Sequence, residues 1–374
     1  MELSEIRARI NQVDGQLLPL FLERMALSKE VAALKREEGR PVTDAARERQ
    51  ILAGVSERAG AELEEYARLF YGEILELSRA YQVQLIRSER DFPLPPAETQ
   101  GFPHAAKVAC QGVEGAYSQA AADRVFRFAD IRYVNTFDDV FEAVEKGDVR
   151  FGVLPIENSA HGSVTKVYDL MRTHRFSIVR AVKLHIRHHL LAKKGTDLSG
   201  VRVILSHEQA IGQCSRFLRE LKDVQVRVCA NTAMAAREVA LSGEDGLAAI
   251  SSEACASQYG LSILKSHIQN TDNNYTRFIV IEKTPHLYAG ANRLSLLFSL
   301  PDKAGSLSRA LARFAAAGLS LTKLESRPDE GSNFHYVFYA DLEADVTEPS
   351  VRRLLADLND ELPLFVFLGA YQEV

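Results

Sequence analysis

The feature that most limits how this chain can fold lies in its first 34 residues. Leu3, Ile6, Ile10, Val13, Leu17, Leu20, Leu27, Val31 and Leu34 recur on alternating three- and four-residue steps, the seam of one long heptad-like helix. Pro41 and Thr43 mark a break and a cap. A second helix is expected from Asp44 to about Arg58. A third runs from about Leu63 to Arg87, with Tyr66, Leu69, Phe70, Ile74, Leu77 and Tyr81 on its apolar face. Three helices, one of them very long, close a poor core by themselves. The expected solution is an intertwined homodimer that shares its seam between chains, with pairing into a homotetramer left open. Pro19 falls inside the long helix, where proline costs about 3 kcal/mol and kinks the axis, so a bend is expected there.

The full 374 residues argue for two or three domains, and 46% hydrophobic residues are ample for several cores without disulfides or metals. Residues 88–106 hold four prolines and little periodicity, which reads as a linker. From Lys107 short apolar strands alternate with helical stretches: Lys107–Cys110, Gly152–Pro155, Arg202–Leu205 and Phe278–Glu282 are interleaved with segments such as Ala116–Arg127 and Phe137–Glu145. After a connector at Thr284–Asn292 the pattern is strand Leu294–Leu300, helix Ser306–Ala317, strand Ser320–Ser326, strand His335–Leu342, helix Glu348–Asn359 and strand Leu364–Gly369. That βαββαβ order is the ferredoxin-like plan. The expected organisation is all-α over 1–87, a linker over 88–106, two-lobed α/β over 107–283 and α+β over 293–374.

A net charge of −5 argues against a nucleic-acid partner, and no apolar run approaches the ~20 residues of a membrane span. The acidic, amphipathic N-terminus is unlike a targeting peptide, so a cytoplasmic location is expected. Cys110, Cys214, Cys229 and Cys255 form no Cys-x-x-Cys pair, and His161, His188, His189 and His207 lack metal-ligand spacing. Neither a metal nor an organic cofactor is expected.

Chemistry enters where the seam stops being apolar. Arg24 occupies the position where leucine is due, and Arg7 and Lys35 lie 28 residues apart on the same stripe, roughly 42 Å along a helix. They cannot both line one small site in a single chain, but in an antiparallel dimer Arg7 can come from the partner. Asp44, Arg47 and Glu48 follow on the second helix, and Ser78 and Gln82 stand at i, i+4 on the third. Together these make a cation-rich cavity suited to a small dianion. The run from Ile6 to Leu52 resembles the all-helical class of chorismate mutase. The resemblance implies Arg7, Arg24, Lys35, Asp44, Arg47, Glu48, Ser78 and Gln82 as active-site residues. It implies a pericyclic rearrangement of chorismate to prephenate. Arg7 and Arg24 would hold the carboxylates, Lys35 and Gln82 the ether oxygen, and Glu48 the hydroxyl.

Three further clusters follow in order. Gly112–Ser118 precedes a helix; Glu157, Asn158 and Ser159 open the stretch IENSAHGSV; Gln209 and Gln213 then precede Thr276, Arg277 and Phe278 in NYTRF. These are similar to prephenate dehydratase over about residues 106–283. The resemblance implies a fold like a type II periplasmic binding protein. It also implies a substrate cleft lined by Ser118, Glu157, Asn158, Ser159, Gln209, Gln213, Thr276, Arg277 and Phe278, with Thr276 carrying the critical hydroxyl. Finally, Gly305, Ser306 and Leu307, with Glu325, Ser326, Arg327 and Pro328, resemble the ACT regulatory domain, which implies a phenylalanine site. The whole chain thus resembles the bifunctional chorismate mutase–prephenate dehydratases, converting chorismate through prephenate to phenylpyruvate without a cofactor. A non-catalytic sensor of small acids, or a mutase with an inactive second domain, are the alternatives.

Overall fold

The computed structural model describes residues 2–86, 91–99, 101–329 and 336–374. The expected helix end at Arg87, the linker start at 88 and the strand start at His335 lie outside the described residues. Two helices come first, α1 (Leu3–Glu38) and α2 (Ala45–Ile86). There follow β1 (Ala105–Gln111), α3 (Tyr117–Val125), β2 (Phe128–Val134), α4 (Phe137–Glu145), β3 (Phe151–Asn158), β4 (Gly162–Ser163), α5 (Thr165–His174) and β5 (Ser177–His185). Next are β6 (His189–Ala192), β7 (Val203–Ser206), α6 (Glu208–Gln213), α7 (Ser215–Glu220), β8 (Gln225–Val228), α8 (Thr232–Leu241), β9 (Leu247–Ser251), α9 (Glu253–Tyr259) and β10 (Ser262–Lys265). The chain returns through β11 (Tyr275–Glu282) and ends in β12 (Arg293–Ser299), α10 (Ser306–Ala316), β13 (Ser320–Pro328), β14 (Tyr336–Glu343), α11 (Pro349–Glu361) and β15 (Leu364–Glu373). Contacts divide these into two compact units: α1, α2, α10 and α11 in one, every strand and the remaining helices in the other. No helix among the described residues is long and apolar enough to cross a membrane.

In the first unit α1 starts on a capping box between Glu2 and Glu5 and stops at Gly39, which takes the left-handed conformation that ends helices. Pro19 does not break it: α1 is helical from Leu3 to Glu38. The bond that proline removes would run to the Gly15 carbonyl, and both residues sit on an exposed surface where water can hydrate that oxygen. Gly60, at φ 71° and ψ 163°, interrupts α2 between the second and third expected helices. The seam is not buried in the single chain. Leu3, Ile10, Leu20 and Leu27 are 63, 53, 63 and 54% exposed, and only Ser28 and Ala32 of α1 are buried.

The second unit contains two sheets. The larger runs β13-β14-β12-β15-β5-β11-β3-β1-β2, with β4 on the flank of β3, and the smaller runs β10-β6-β9-β7-β8. The chain leaves the first sheet after β5 and re-enters it at β11, so two crossings join two α/β lobes. The C-terminal strands are not a separate layer. Val140, Leu154, Met171 and Ile279 of the first lobe share one buried cluster with Leu297, Val337, Tyr339 and Leu368. Tyr339 stacks edge-on against Tyr168 at 4.7 Å and donates its hydroxyl proton to the Tyr168 carbonyl at 2.6 Å.

The sequence places the end of the last strand at Gly369, but β15 continues to Glu373, and Gln372 and Glu373 pair in parallel with Arg180 and Ala181 of β5. Glycine here is what permits the join. Its φ is 134°, and a Cβ at this position would lie 2.2 Å from the Ile178 carbonyl oxygen. Gly369→Ala is therefore expected to cost about 1–3 kcal/mol through overpacking. It should show as a lower unfolding midpoint, whereas an unchanged midpoint would mean that β15 does not dock on β5.

Candidate active sites

Along α1 and α2 a polar strip replaces the apolar pattern. Arg24 donates to the Ser78 hydroxyl and, at 3.4 Å, to the Ile74 carbonyl, while Ser28 and Ser78 share a hydrogen bond of 3.1 Å. One to three turns further along α1, Lys35 lies 3.5 Å from Gln82 Oε1 and donates to the Val42 carbonyl. Ser78 and Gln82 are buried, and burial lowers the Arg24 pKa from its ordinary value. So Arg24, Lys35, Ser78 and Gln82 are brought onto one strip. The others are not. Arg7 is exposed at the far end of α1, Arg47 is exposed, and the Asp44 carboxylate caps the Arg47 amide at 3.0 Å. Glu48 is paired with Arg79, which also holds Glu76. Sequence reasoning missed Arg79, whose only signal was its place one residue after Ser78.

In the second unit a cavity of about 400 Å³ opens between the two lobes. Its floor comes from β3 and β11, where Asn158 and Thr276 are cross-strand partners. Asn158 Nδ2 donates to Thr276 Oγ1 at 2.9 Å and to Asn274 Oδ1 at 2.8 Å. Asn158 Oδ1 accepts from the Ala160 and His161 amides, both at 3.0 Å, a local turn that fixes the side chain. The network continues outward: Asn274 Nδ2 donates to Gln213 Oε1 at 3.0 Å, and His188 Nε2 lies 2.7 Å from the same oxygen. A donor at Nε2 is the role that Gln213 Oε1 requires of His188.

The cavity's charge balance is unusual. Among its described lining residues there is no Asp, Glu, Lys or Arg. Instead the first residues or caps of five helices reach it: Tyr117 and Ser118 of α3, Phe137 of α4, Val164 before α5, His207 and Gln209 at α6, and Asn231 and Thr232 at α8. Helix starts carry unpaired N–H groups and a partial positive charge of about half a unit each. Ser118, Asn158, Gln209, Gln213, Thr276 and Phe278 all line this space, joined by Gln111, His188, His207 and Asn231. Of these, Asn231 lies outside the motifs read from the sequence; it caps α8, accepting from Met234 N at 2.7 Å. Cys110 and Cys214 are buried, and burial pushes both thiols up to about 12, far from a nucleophile's range.

Three residues expected in the cleft do not line it. Side chains alternate along a strand, so Glu157 and Arg277, one step from Asn158 and Thr276, face the opposite side of the sheet. There Arg277 meets Asp341 and Glu373 at 2.9 Å each. Ser159 is a loop clamp, donating to the Asn273 carbonyl at 3.0 Å and accepting from Tyr275 N at 2.9 Å. The residues expected to bind an effector are also engaged. Gly305 takes φ 80° as the cap of α10, and Ser306 Oγ accepts from Arg309 at 2.9 Å, with Leu307 next on the helix. On β13, Glu325 accepts from Ser163 at 2.7 Å and Arg327 reaches Asp169 at 3.2 Å, with Ser326 and Pro328 between and beyond them.

Burial lowers the His188 pKa, so the folded protein favours the neutral ring. The stability this gives is complete above the unfolded value of about 6.5 and is lost as pH falls below it. His188→Gln keeps a donor for Gln213 but removes the titration. The variant's unfolding midpoint is expected to fall less than the wild type's between pH 7 and pH 5.5; parallel curves would mean that His188 charges freely in the fold.

Comparison with known proteins yields three family matches in tandem: chorismate mutase type II over residues 6–83, prephenate dehydratase over 108–286 and the ACT domain over 294–360. The bifunctional chorismate mutase/prephenate dehydratase of Escherichia coli strain K12 is 31% identical over 377 residues, covering 99% of this chain and 96% of that protein. The chloroplastic arogenate dehydratase/prephenate dehydratase 2 of Arabidopsis thaliana is 40% identical over 277 residues, 71% of this chain and 72% of its own length. Among solved structures, prephenate dehydratase of Arthrobacter aurescens in complex with L-Phe superposes with a TM-score of 0.63 at 29% identity, covering 71% of this chain and 89% of that one.

Proposed function

This chain belongs to the bifunctional chorismate mutase/prephenate dehydratase family, and we propose how its residues divide the two reactions. Its activities are chorismate mutase and prephenate dehydratase, with an ACT regulatory region, the set that serves phenylalanine biosynthesis under feedback control. We assign the mutase to 1–87, the linker to 88–106, the dehydratase to 107–283 and the sensor to 293–374.

The mutase reaction is pericyclic, so the protein supplies no nucleophile or base. It holds the compact substrate conformer and stabilises the charge developing on the ether oxygen. Lys35 and Gln82 donate to that oxygen, Arg24 holds one carboxylate beside Ser78, and Glu48, oriented by Arg79, takes the hydroxyl. Asp44 and Arg47 border the pocket. The second carboxylate goes to the partner's Arg7. An unbroken α1 supports this, because it keeps Arg7 roughly 42 Å from Lys35 in the same chain. The exposed seam supports a homodimer built through these helices. Mixing Arg7→Ala chains with Lys35→Ala chains, each inactive alone, should restore part of the mutase rate, since one site of the heterodimer regains both residues. Heterodimers that stay inactive would rule out a shared site.

The dehydratase assignment rests on one observation: the Asn158–Thr276 hydrogen bond on the floor of a cavity that has helix starts but no Asp, Glu, Lys or Arg among its described lining residues. Prephenate loses hydroxide and CO₂ together as the ring becomes aromatic, consuming one proton to make water. Asn158 fills an acceptor position of Thr276 Oγ1, leaving the threonine proton to point at the departing hydroxyl. The helix starts hold the retained carboxylate with fixed dipoles, while a weakly polar surround favours loss of charge from the carboxylate that leaves. Ser118, Gln209 and Gln213 fix the substrate's orientation, and Phe278 supplies an apolar wall.

We assign phenylalanine binding to the ACT region, which inhibits because one conformation takes the effector more tightly. Supplying the full chain with chorismate should yield phenylpyruvate. Prephenate that accumulates unchanged would leave a mutase alone. Thr276→Ala should lower the dehydratase rate by about 10²-fold or more with mutase rates near normal; joint loss would point instead to misfolding.

A further inference from the structure

The face of β3 and β11 that looks away from the cleft carries a cluster that the dehydratase chemistry does not use. Arg277, 11% exposed, is surrounded by three carboxylates: Asp341 Oδ2 at 2.9 Å, Glu373 Oε2 at 2.9 Å and Glu157 Oε2 at 3.7 Å. Lys323, 9% exposed, bonds the other Glu157 oxygen at 2.8 Å and Ser163 Oγ at 2.7 Å. Asp341 accepts a further bond from Ser295 Oγ at 2.6 Å, and Glu373 is shared with Lys183 at 2.9 Å. Lys323, Asp341 and Glu373 stand on β13, β14 and β15, strands of the sensor, whereas Glu157 and Arg277 are the immediate neighbours of Asn158 and Thr276.

The register makes this a two-sided device. Thr276 pairs with Asn158 and Arg277 pairs with Glu157, so the cleft doublet and the charged doublet are consecutive rungs of one ladder. The ladder shifts register immediately afterwards, between Arg277 and Phe278, where strand pairing alone holds it least firmly. A buried ion cluster gives little net stability over an apolar replacement, and its attested use is to fix geometry.

We propose that Lys323, Asp341 and Glu373 of the sensor sheet are positioning residues for the dehydratase reaction, holding Glu157 and Arg277 so that the Asn158–Thr276 hydrogen bond stays in its productive register. The sensor is then a structural part of the dehydratase site, acting through the sheet without touching substrate. The inference rests on the reading of Thr276 and Asn158 given above.

The test uses the full chain, prephenate for the dehydratase and chorismate for the mutase. Lys323→Met should lower the dehydratase kcat by about tenfold or more while KM stays within about threefold, the signature of lost positioning without lost binding. Lys323→Arg, which keeps the charge, should recover most of the rate. The double variant Glu157→Gln with Lys323→Met also removes the carboxylate that has lost its nearer cation, leaving only Arg277 at 3.7 Å. Its unfolding midpoint should return toward wild type while kcat stays low. Should Lys323→Met fail to fold, Asp341→Asn, of nearly unchanged shape, carries the same expectation. Folded variants with kcat within about twofold of wild type, or a kcat that recovers in step with the midpoint in the double variant, would overturn the proposal. Thr276→Ala separates the two readings: if it keeps dehydratase activity, the site assignment falls and this proposal with it. If it is inactive while Lys323→Met is not, this proposal alone falls.

Discussion

The dehydratase half depends on β11 being clamped between β3 and β5. β11 is the strand by which the chain returns from the second lobe, and it pairs antiparallel on both sides over its whole length. With both edges occupied it cannot slide, and period-two alternation then decides every side chain's fate. Thr276 goes to the cleft, Arg277 to the sensor side, and Phe278 back to the cleft wall. A slip of one residue would put a guanidinium into a cavity with no Asp, Glu, Lys or Arg among its described lining residues. The hydrogen bonds from Asn158 to Thr276 and Asn274 are a second lock on the same register, perpendicular to the ladder.

As the proposed prephenate site, this cleft would meet an anionic substrate in an economical way. Cationic side chains would bind two carboxylates strongly but would also stabilise the one that must leave as CO₂. Backbone N–H groups at helix starts attract negative charge with fixed dipoles that need no reorganisation. The mutase strip does the reverse, with Arg24 and Lys35 close to buried neutral donors, because its product keeps both carboxylates. On the assignment proposed above, one chain handles two related dianions with opposite electrostatic strategies, each suited to whether charge is retained.

Sheet continuity makes the strands of the sensor part of the same body as the first lobe. β15 passes Gly369, where no Cβ fits, and adds its last residues to β5, while Leu297, Val337, Tyr339 and Leu368 complete a core begun by Val140 and Ile279. The sequence pattern around Gly369 reads as a strand end, since glycine usually stops or bends strands and the following Ala370-Tyr371-Gln372-Glu373 is too short to register as a strand of its own. The break at Gly60 and the exposed seam of α1, by contrast, were legible, because helical period and glycine conformation are local properties. Pro19 was legible too, but its consequence was not: an exposed helix can lose one hydrogen bond and remain helical.

From the sequence alone came the order of elements, the heptad seam and a set of candidate polar residues, because periodicity and residue type can be read locally. Arg24, Lys35, Ser78, Gln82, Asn158, Gln213 and Thr276 were all visible in this way. Tertiary structure alone decided which neighbours of those residues face the cleft. Glu157 and Arg277 belong to the same short motifs as Asn158 and Thr276, yet they point to the sensor, since adjacent residues on a strand look in opposite directions and the motif does not say which face is the cleft. It also decided that His188, Asn274 and Asn231 join the site, because their neighbours in space come from strands and helices more than 20 residues away. Motif spacing records which residues travel together in sequence; only the packed sheet assigns them to sides.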